Sequence, residues 1–130
     1  MKIRRLDHLV LTVRDIETTV AFYTNVLGMG SVTFAGGTHA LSFGEQKIHL
    51  HSADGLIAPH ATHPVPGSAD ICLISEESIA QVVETFQRVG VTIEEGPVQR
   101  RGALGPLSSV YIRDPDGNLV EVSTYQPVVA

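Results

Sequence analysis

Two histidines and two carboxylates, His8, His49, Asp70 and Glu121, lie in short alternating stretches, where side chains two apart share a face. In DHLVLTV the row Leu9, Leu11, Val13 is apolar, which puts His8, Val10 and Thr12 on the other side. In QKIHLHS, Ile48 and Leu50 leave His49 and His51 opposite, and in ADICLIS, Ile71 and Leu73 leave Asp70 and Cys72. In NLVEVSTY, Val120 and Val122 leave Leu119, Glu121 and Ser123. One such residue alone is ordinary, because the non-core face of an antiparallel sheet often meets water. Four at matching places form a candidate facial metal site. Neutral imidazole and carboxylate hold Zn, Ni, Co, Mn or Fe, and a site with few ligands leaves positions open for substrate oxygens. A divalent metal held that way polarises a carbonyl or stabilises an enediolate, which suits lyase or isomerase chemistry next to a carbonyl. Glu121 or Asp70 would move the proton.

The elements that must position these residues repeat. DHLVLTV is a strand, and DIETTVAFYTNVLG follows with Ile16, Val20, Tyr23 and Leu27 at helical spacing, Asp15 as N-cap and Gly28 as the terminator. Tyr23 belongs to the helix core by that register. GSVTFAG, HALSFG and QKIHLHS then read as three strands separated by glycine turns. The second half has the same grammar: ADICLIS, then a helix in SIAQVVETFQRVG with Ser78 and Gln81 in capping-box spacing and Gly90 at its end, then VTIEEGPVQ, LSSVYIRD and NLVEVSTY. Gly28 and Gly90 lie 62 positions apart (90 minus 28), as do His8 and Asp70 (70 minus 8). The expected fold is α+β, two tandem βαβββ modules forming a curved mixed sheet in a single domain, 1–130. Module one spans 1–52, a connecting arm 53–67, and module two 68–126. The arm's HPVPG is expected to run extended, with His60 and His63 as exposed loop residues. Asp114-Pro115-Asp116-Gly117-Asn118 reads as a tight turn that sets the register of the last strand.

Composition narrows the classes. The chain has 130 residues, 43% of them hydrophobic, which is enough for one compact domain. A formal charge of -5 speaks against a nucleic-acid surface despite the pairs Arg4-Arg5 and Arg100-Arg101. No apolar run approaches the roughly 20 residues of a membrane span, and no signal peptide opens the chain, so a cytoplasmic protein without membrane attachment is expected. The single cysteine, Cys72, cannot form an internal disulfide and is expected to be buried and inert.

Beyond these features, LDHLVLTVRDIETTVAFYTNVLGM and YIRDPDGNLVEVS resemble the hallmark ends of the vicinal oxygen chelate superfamily. That superfamily includes glyoxalase I, fosfomycin-resistance enzymes, extradiol dioxygenases and bleomycin-binding proteins. The resemblance spans nearly the whole chain, and QKIHLH, HPVPGS and GVTIEEGPV bring it nearest to a group of small glyoxalase-domain proteins. It implies a glyoxalase-like fold, with His8 as first-strand ligand, His49 as fourth-strand ligand, Glu121 as last-strand carboxylate and Asp70 in the fourth place. In bacterial glyoxalase I the position matching His49 is usually Glu and that matching Asp70 is His, so the two types are exchanged here. Asp is shorter than His, which leaves Asp70 as ligand, base or bystander. The resemblance also implies a homodimer whose site is completed by paired modules, from one chain or two.

Three functions stay open on this basis: a glyoxalase-like lyase or isomerase, an iron(II) extradiol dioxygenase, and a non-catalytic small-molecule binding or resistance protein. Lesser candidates for contact with substrate are His51, which shares a face with His49, and Tyr111. Arg100 and Arg101 are expected in a glycine-flanked loop, as a mobile gate.

Overall fold

A computed structural model describes residues 1–126; the last four residues of the expected 1–130 domain lie outside the described residues. The chain divides into two compact units, the first spanning Met1–Ser68 and the second starting at Ala69.

In the first unit the order is β1 (His8–Val13), α1 (Ile16–Asn25), β2 (Gly30–Thr33), β3 (His39–Phe43) and β4 (Gln46–Ser52). The sheet runs β1-β4-β3-β2, with β1 parallel to β4 and the other pairs antiparallel. Alternation does what the sequence requires: Leu11, Val13, Ile48 and Leu50 are buried with Tyr23 of α1, each worth about 1.5–3 kcal/mol when fully covered. Asp15 caps α1 by accepting from the Thr18 amide at 3.2 Å. The helix stops at Asn25, earlier than the glycine alone would place it; Gly28 then takes φ 69°, and the Met29 amide donates back to the Tyr23 carbonyl.

The second unit repeats the pattern with β5 (Asp70–Ile74), α2 (Ile79–Val89), β6 (Glu95–Gly102), β7 (Gly105–Arg113) and β8 (Leu119–Tyr125). Its sheet order is β5-β8-β7-β6, again with the first and last strands parallel. Val82 and Phe86 of α2 are buried, as are Leu107, Val110, Ile112, Val120 and Val122 of the sheet. The capping box at Ser78 and Gln81 is present in both directions, and Gly90 ends α2 at φ 76°. The fold is therefore α+β with tandem βαβββ modules, each carrying its own four-stranded mixed sheet.

Four expectations need correction. The segment Val91–Glu94 lies outside β6, and Arg100 and Arg101, expected in a loop, are strand residues paired with Leu107 and Pro106. The glycines that follow them, Gly102 and Gly105, bracket a two-residue hairpin turn instead; a Cβ on Gly102 would come within 2.7 Å of Leu107 and 2.9 Å of the Tyr125 hydroxyl. HPVPG is not extended throughout: Pro66-Gly67 forms a turn, with Gly67 at φ 80° and the Ser68 hydroxyl donating to the Val65 carbonyl at 2.9 Å. Cys72 is exposed, because it occupies the same outward row as Asp70 and Glu121 rather than the core row.

Candidate functional site

In the first unit, β1 and β4 lie side by side with Val10 opposite His49 and Thr12 opposite His51. This brings the His8 and His49 rings into a near-parallel stack, centroids 4.6 Å apart at 27°. His8 Nδ1 is 2.8 Å from Asp7 Oδ2. An ionised carboxylate only accepts, so Nδ1 carries the proton and the lone pair is on Nε2, which is how carboxylates orient metal-binding imidazoles. The hydrogen bond from His8 holds the Asp7 carboxyl below the ordinary range. His49 Nε2 is buried and has no hydrogen-bond partner. Burial above all holds the His49 pKa down, helped by repulsion from Lys47, His8 and His51 and opposed by Asp7. Phe34 closes over the other side of His49, ring centroids 6.0 Å apart, and carries the Lys47 ammonium 5.1 Å from its own centroid.

An arm of the same unit, 53–67, folds back to form a cavity of about 320 Å³. Val10, Thr12 and His51 of the sheet line it on one side, with Leu56, His60, Ala61 and two prolines of the arm on the other. His60 and His63 are exposed, as expected, and His60 Nδ1 donates to the Ala61 carbonyl at 2.8 Å.

In the second unit, β8 puts Glu121 opposite Cys72 of β5 and Tyr111 of β7. The Ser123 hydroxyl donates to Glu121 Oε2 at 3.2 Å, and Ser123 also lies 2.7 Å from the Ser109 hydroxyl and 3.4 Å from Cys72 Sγ. Tyr111 accepts from Arg100 Nε at 3.1 Å, while Arg100 holds Glu95 at 3.1 Å. Burial first, then the neighbouring Glu121, pushes the Tyr111 phenol up, and the Arg100 hydrogen bond opposes this. Although Cys72 is exposed as a residue, its Sγ is partly desolvated against Ser123 and Glu121, which raises the thiol, so Cys72 stays protonated and is a poor nucleophile. Asp70, at the exposed start of β5, is opposite Leu119, one register step of two residues from the Cys72–Glu121 pair.

The two registers correspond. Asp70 stands 62 positions after His8, and Cys72 62 after Val10 (72 minus 10); Val10 faces His49 and Cys72 faces Glu121. Glu121 is thus the second unit's counterpart of His49, and Asp70 that of His8. Within its unit each pair is brought to neighbouring strands. Arg100 joins Tyr111, whereas Arg101 is an exposed strand residue next to the hairpin turn. Asp7, Phe34 and Glu95 are contacts that alternation alone does not single out, with the adjacency of Asp7 to His8 as the one sequence signal; Ser123 lies on the Glu121 face that alternation assigned it.

Whether these residues suit a metal can be judged from the donors. A buried, orphaned imidazole nitrogen is costly unless something fills its lone pair, and a second imidazole with a fixed tautomer lies against it. That fits half of a divalent-metal site. Among the described residues no group of three or more His, Cys, Asp and Glu side chains converges in a metal-holding arrangement.

Comparison with known proteins gives the class. The family model described as the Glyoxalase/Bleomycin resistance protein/Dioxygenase superfamily matches residues 5–122, and the chain belongs to that superfamily. It is 54% identical over 125 residues to Virulence protein STM3117 of Salmonella typhimurium, covering 96% of this chain and 87% of that protein. The crystal structure of that relative superposes with a TM-score of 0.95, covering 97% of this chain and 100% of the other. Glyoxalase domain-containing protein RDO1 of Mycosarcoma maydis is 48% identical over 126 residues, 97% of this chain and 71% of that protein. Lactoylglutathione lyase of Salmonella typhimurium is 29% identical over 132 residues, covering 91% and 90%. No helix among the described residues is long and apolar enough to cross a membrane.

Proposed function

We propose that this chain is a metal-dependent lyase or isomerase of the glyoxalase type, acting on a small substrate with vicinal oxygens. His8, His49 and Glu121 would hold the divalent metal, with Asp70 as base or fourth ligand. The two units act as one functional domain, and Glu121 comes from the module paired with the two histidines, in this chain or in the second copy of a homodimer. The observation that carries this reading is the buried, unpartnered Nε2 of His49 stacked on a His8 ring whose tautomer Asp7 fixes. Lactoylglutathione lyase among the relatives gives it a precedent in this superfamily.

A bound divalent ion polarises a carbonyl and lowers the cost of the negative charge that develops when a neighbouring carbon loses its proton. The chain's own residues supply the rest. Two neutral imidazoles bind without cancelling the ion's charge, and the burial that depresses His49 keeps it in that state. Asp70 or Glu121 takes the proton from the substrate carbon and returns it to the adjacent one. Ser123 donates to the Glu121 carboxylate and Tyr111 borders it, so its orientation is held between strands β7 and β8.

Elemental analysis of the purified protein tests the proposal: about one divalent ion per chain is expected, lost in His8→Ala and in His49→Ala. Isomerisation of a small carbonyl compound with vicinal oxygens by the loaded protein, abolished in Glu121→Gln, is the matching activity, and turnover of methylglyoxal–glutathione adducts would single out the glutathione version. Two histidines and one carboxylate also suit iron(II). Oxygen uptake on catechols by anaerobically purified, iron-loaded protein would replace the lyase reading with the dioxygenase one, and ligand binding without metal and unaffected by His8→Ala would replace both with a binding protein.

A further inference from the structure

The cavity beneath the arm adjoins the stacked imidazoles on one strand face. Val10 and Thr12 face His49 and His51 in register, so the cavity begins one strand repeat, roughly 6.6 Å, along the same face from the stacked imidazoles. A group attached directly to a head bound at those imidazoles reaches it without a spacer. Its volume of about 320 Å³ lies at the small end of the roughly 300–1,000 Å³ usual for ligand sites. Its walls are aliphatic side chains and prolines, with one hydroxyl and two imidazoles; no lysine, arginine or carboxylate lines it. Val10 and Leu56 are 47% and 43% exposed, more than isolated core-forming residues would be, and an occupant would cover both.

Building on the metal reading, we infer that the cavity holds a compact, uncharged alkyl or aryl substituent of the substrate, and that Val10, Leu56 and Ala61 set its size. The γ-glutamyl and glycyl carboxylates of a glutathione adduct meet no permanently cationic side chain there. The preferred substrate is therefore a small ketol or related compound bearing its apolar group beside the vicinal oxygens, not a glutathione conjugate.

The test uses the full-length, zinc-loaded protein and calorimetric titration with hydroxyacetone and its ethyl-, propyl- and butyl-ketone homologues, with S-methylglutathione as comparator. Affinity should rise about fourfold per added methylene, the ratio to which about 0.8 kcal/mol corresponds, until the cavity is full. S-methylglutathione should bind no tighter than hydroxyacetone. Ala61→Trp, at an exposed position and checked for folding by its melting curve, should flatten this rise, and Leu56→Ser should reduce it. A flat series in a protein that binds hydroxyacetone overturns the inference and leaves the metal reading intact. A rising series with affinities unchanged by His8→Ala supports the cavity and rejects the metal reading. No binding of any ketol, or tight binding of S-methylglutathione alone, overturns the inference.

Discussion

Asp7 shows how much of a site rests on a residue that touches no substrate. By accepting the hydrogen bond from His8 Nδ1–H it leaves the Nε2 lone pair free and aims the ring. Replacing it with alanine is expected to weaken metal affinity about 10–100-fold, the usual cost of losing such a partner, with the fold unchanged; competition against a chelator measures it. A second expectation concerns Glu94, whose carboxyl Arg113 holds below the ordinary range through paired hydrogen bonds at 3.0 and 3.1 Å. Because the folded pKa lies below the unfolded one, the pair's contribution is present above the unfolded value and is lost as pH falls through the folded value. Both partners are half exposed, so the effect on stability is small, but Arg113→Gln should move the Glu94 titration midpoint upward in NMR spectra. Among single residues, His8, His49 and Glu121 were legible because alternation assigns them a face. Cys72 was misread because an apolar run suggests burial, while its face is fixed by the strand it shares with Asp70.

At the level of elements, the turn before β8 is more than a reversal of direction. Asp114 is buried; its Oδ1 accepts from the amides of Asp116 and Asn118, and its Oδ2 from the Asn118 side chain. Asn118 Oδ1 in turn accepts from the Ala69 amide at 2.8 Å, and Leu119 donates to the Ala69 carbonyl, so the turn ties the start of β5 to the start of β8. Asp114→Ala strands these donors, and a loss of about 2–3 kcal/mol in urea unfolding is expected. Ser78→Ala, which removes one half of a capping box on an exposed helix end, should cost about 1 kcal/mol. The proline and glycine of the turn were plain in the sequence. Its long-range bond to Ala69 was not, since nothing local connects positions 49 residues apart. Arg100 illustrates the same limit: glycines on either side suggested a loop, yet they permit a hairpin tight enough for the arginine to remain in the sheet and reach Tyr111.

Across the whole chain, the 62-residue offset between the opening strands was the strongest signal, while the equivalence of His49 and Glu121, 72 positions apart (121 minus 49), rests on strand register against Val10 and Cys72. The cavity under the arm was invisible beforehand, because its walls combine residues of β1 and β4 with a proline-rich segment that has no periodicity of its own. Metal should report on the molecule as a whole. At a hundredfold excess over its Kd it should stabilise the protein by about 2.7 kcal/mol, seen as a higher melting temperature that EDTA reverses and that His49→Ala no longer shows.

The parallel pairing of first and last strands in each unit has a consequence for how the chain acquires its shape. β1 pairs with β4 from His8 to Lys47, and β5 with β8 from Asp70 to Leu119, so each opening strand waits for almost its entire unit to be synthesised before finding its neighbour. The antiparallel hairpins between them close over far shorter distances and form first, because joining remote segments carries the larger entropic penalty. His8 and Asp70 are therefore assembled last, and a nascent chain truncated before Gln46 presents a histidine-bearing strand with nothing to dock on.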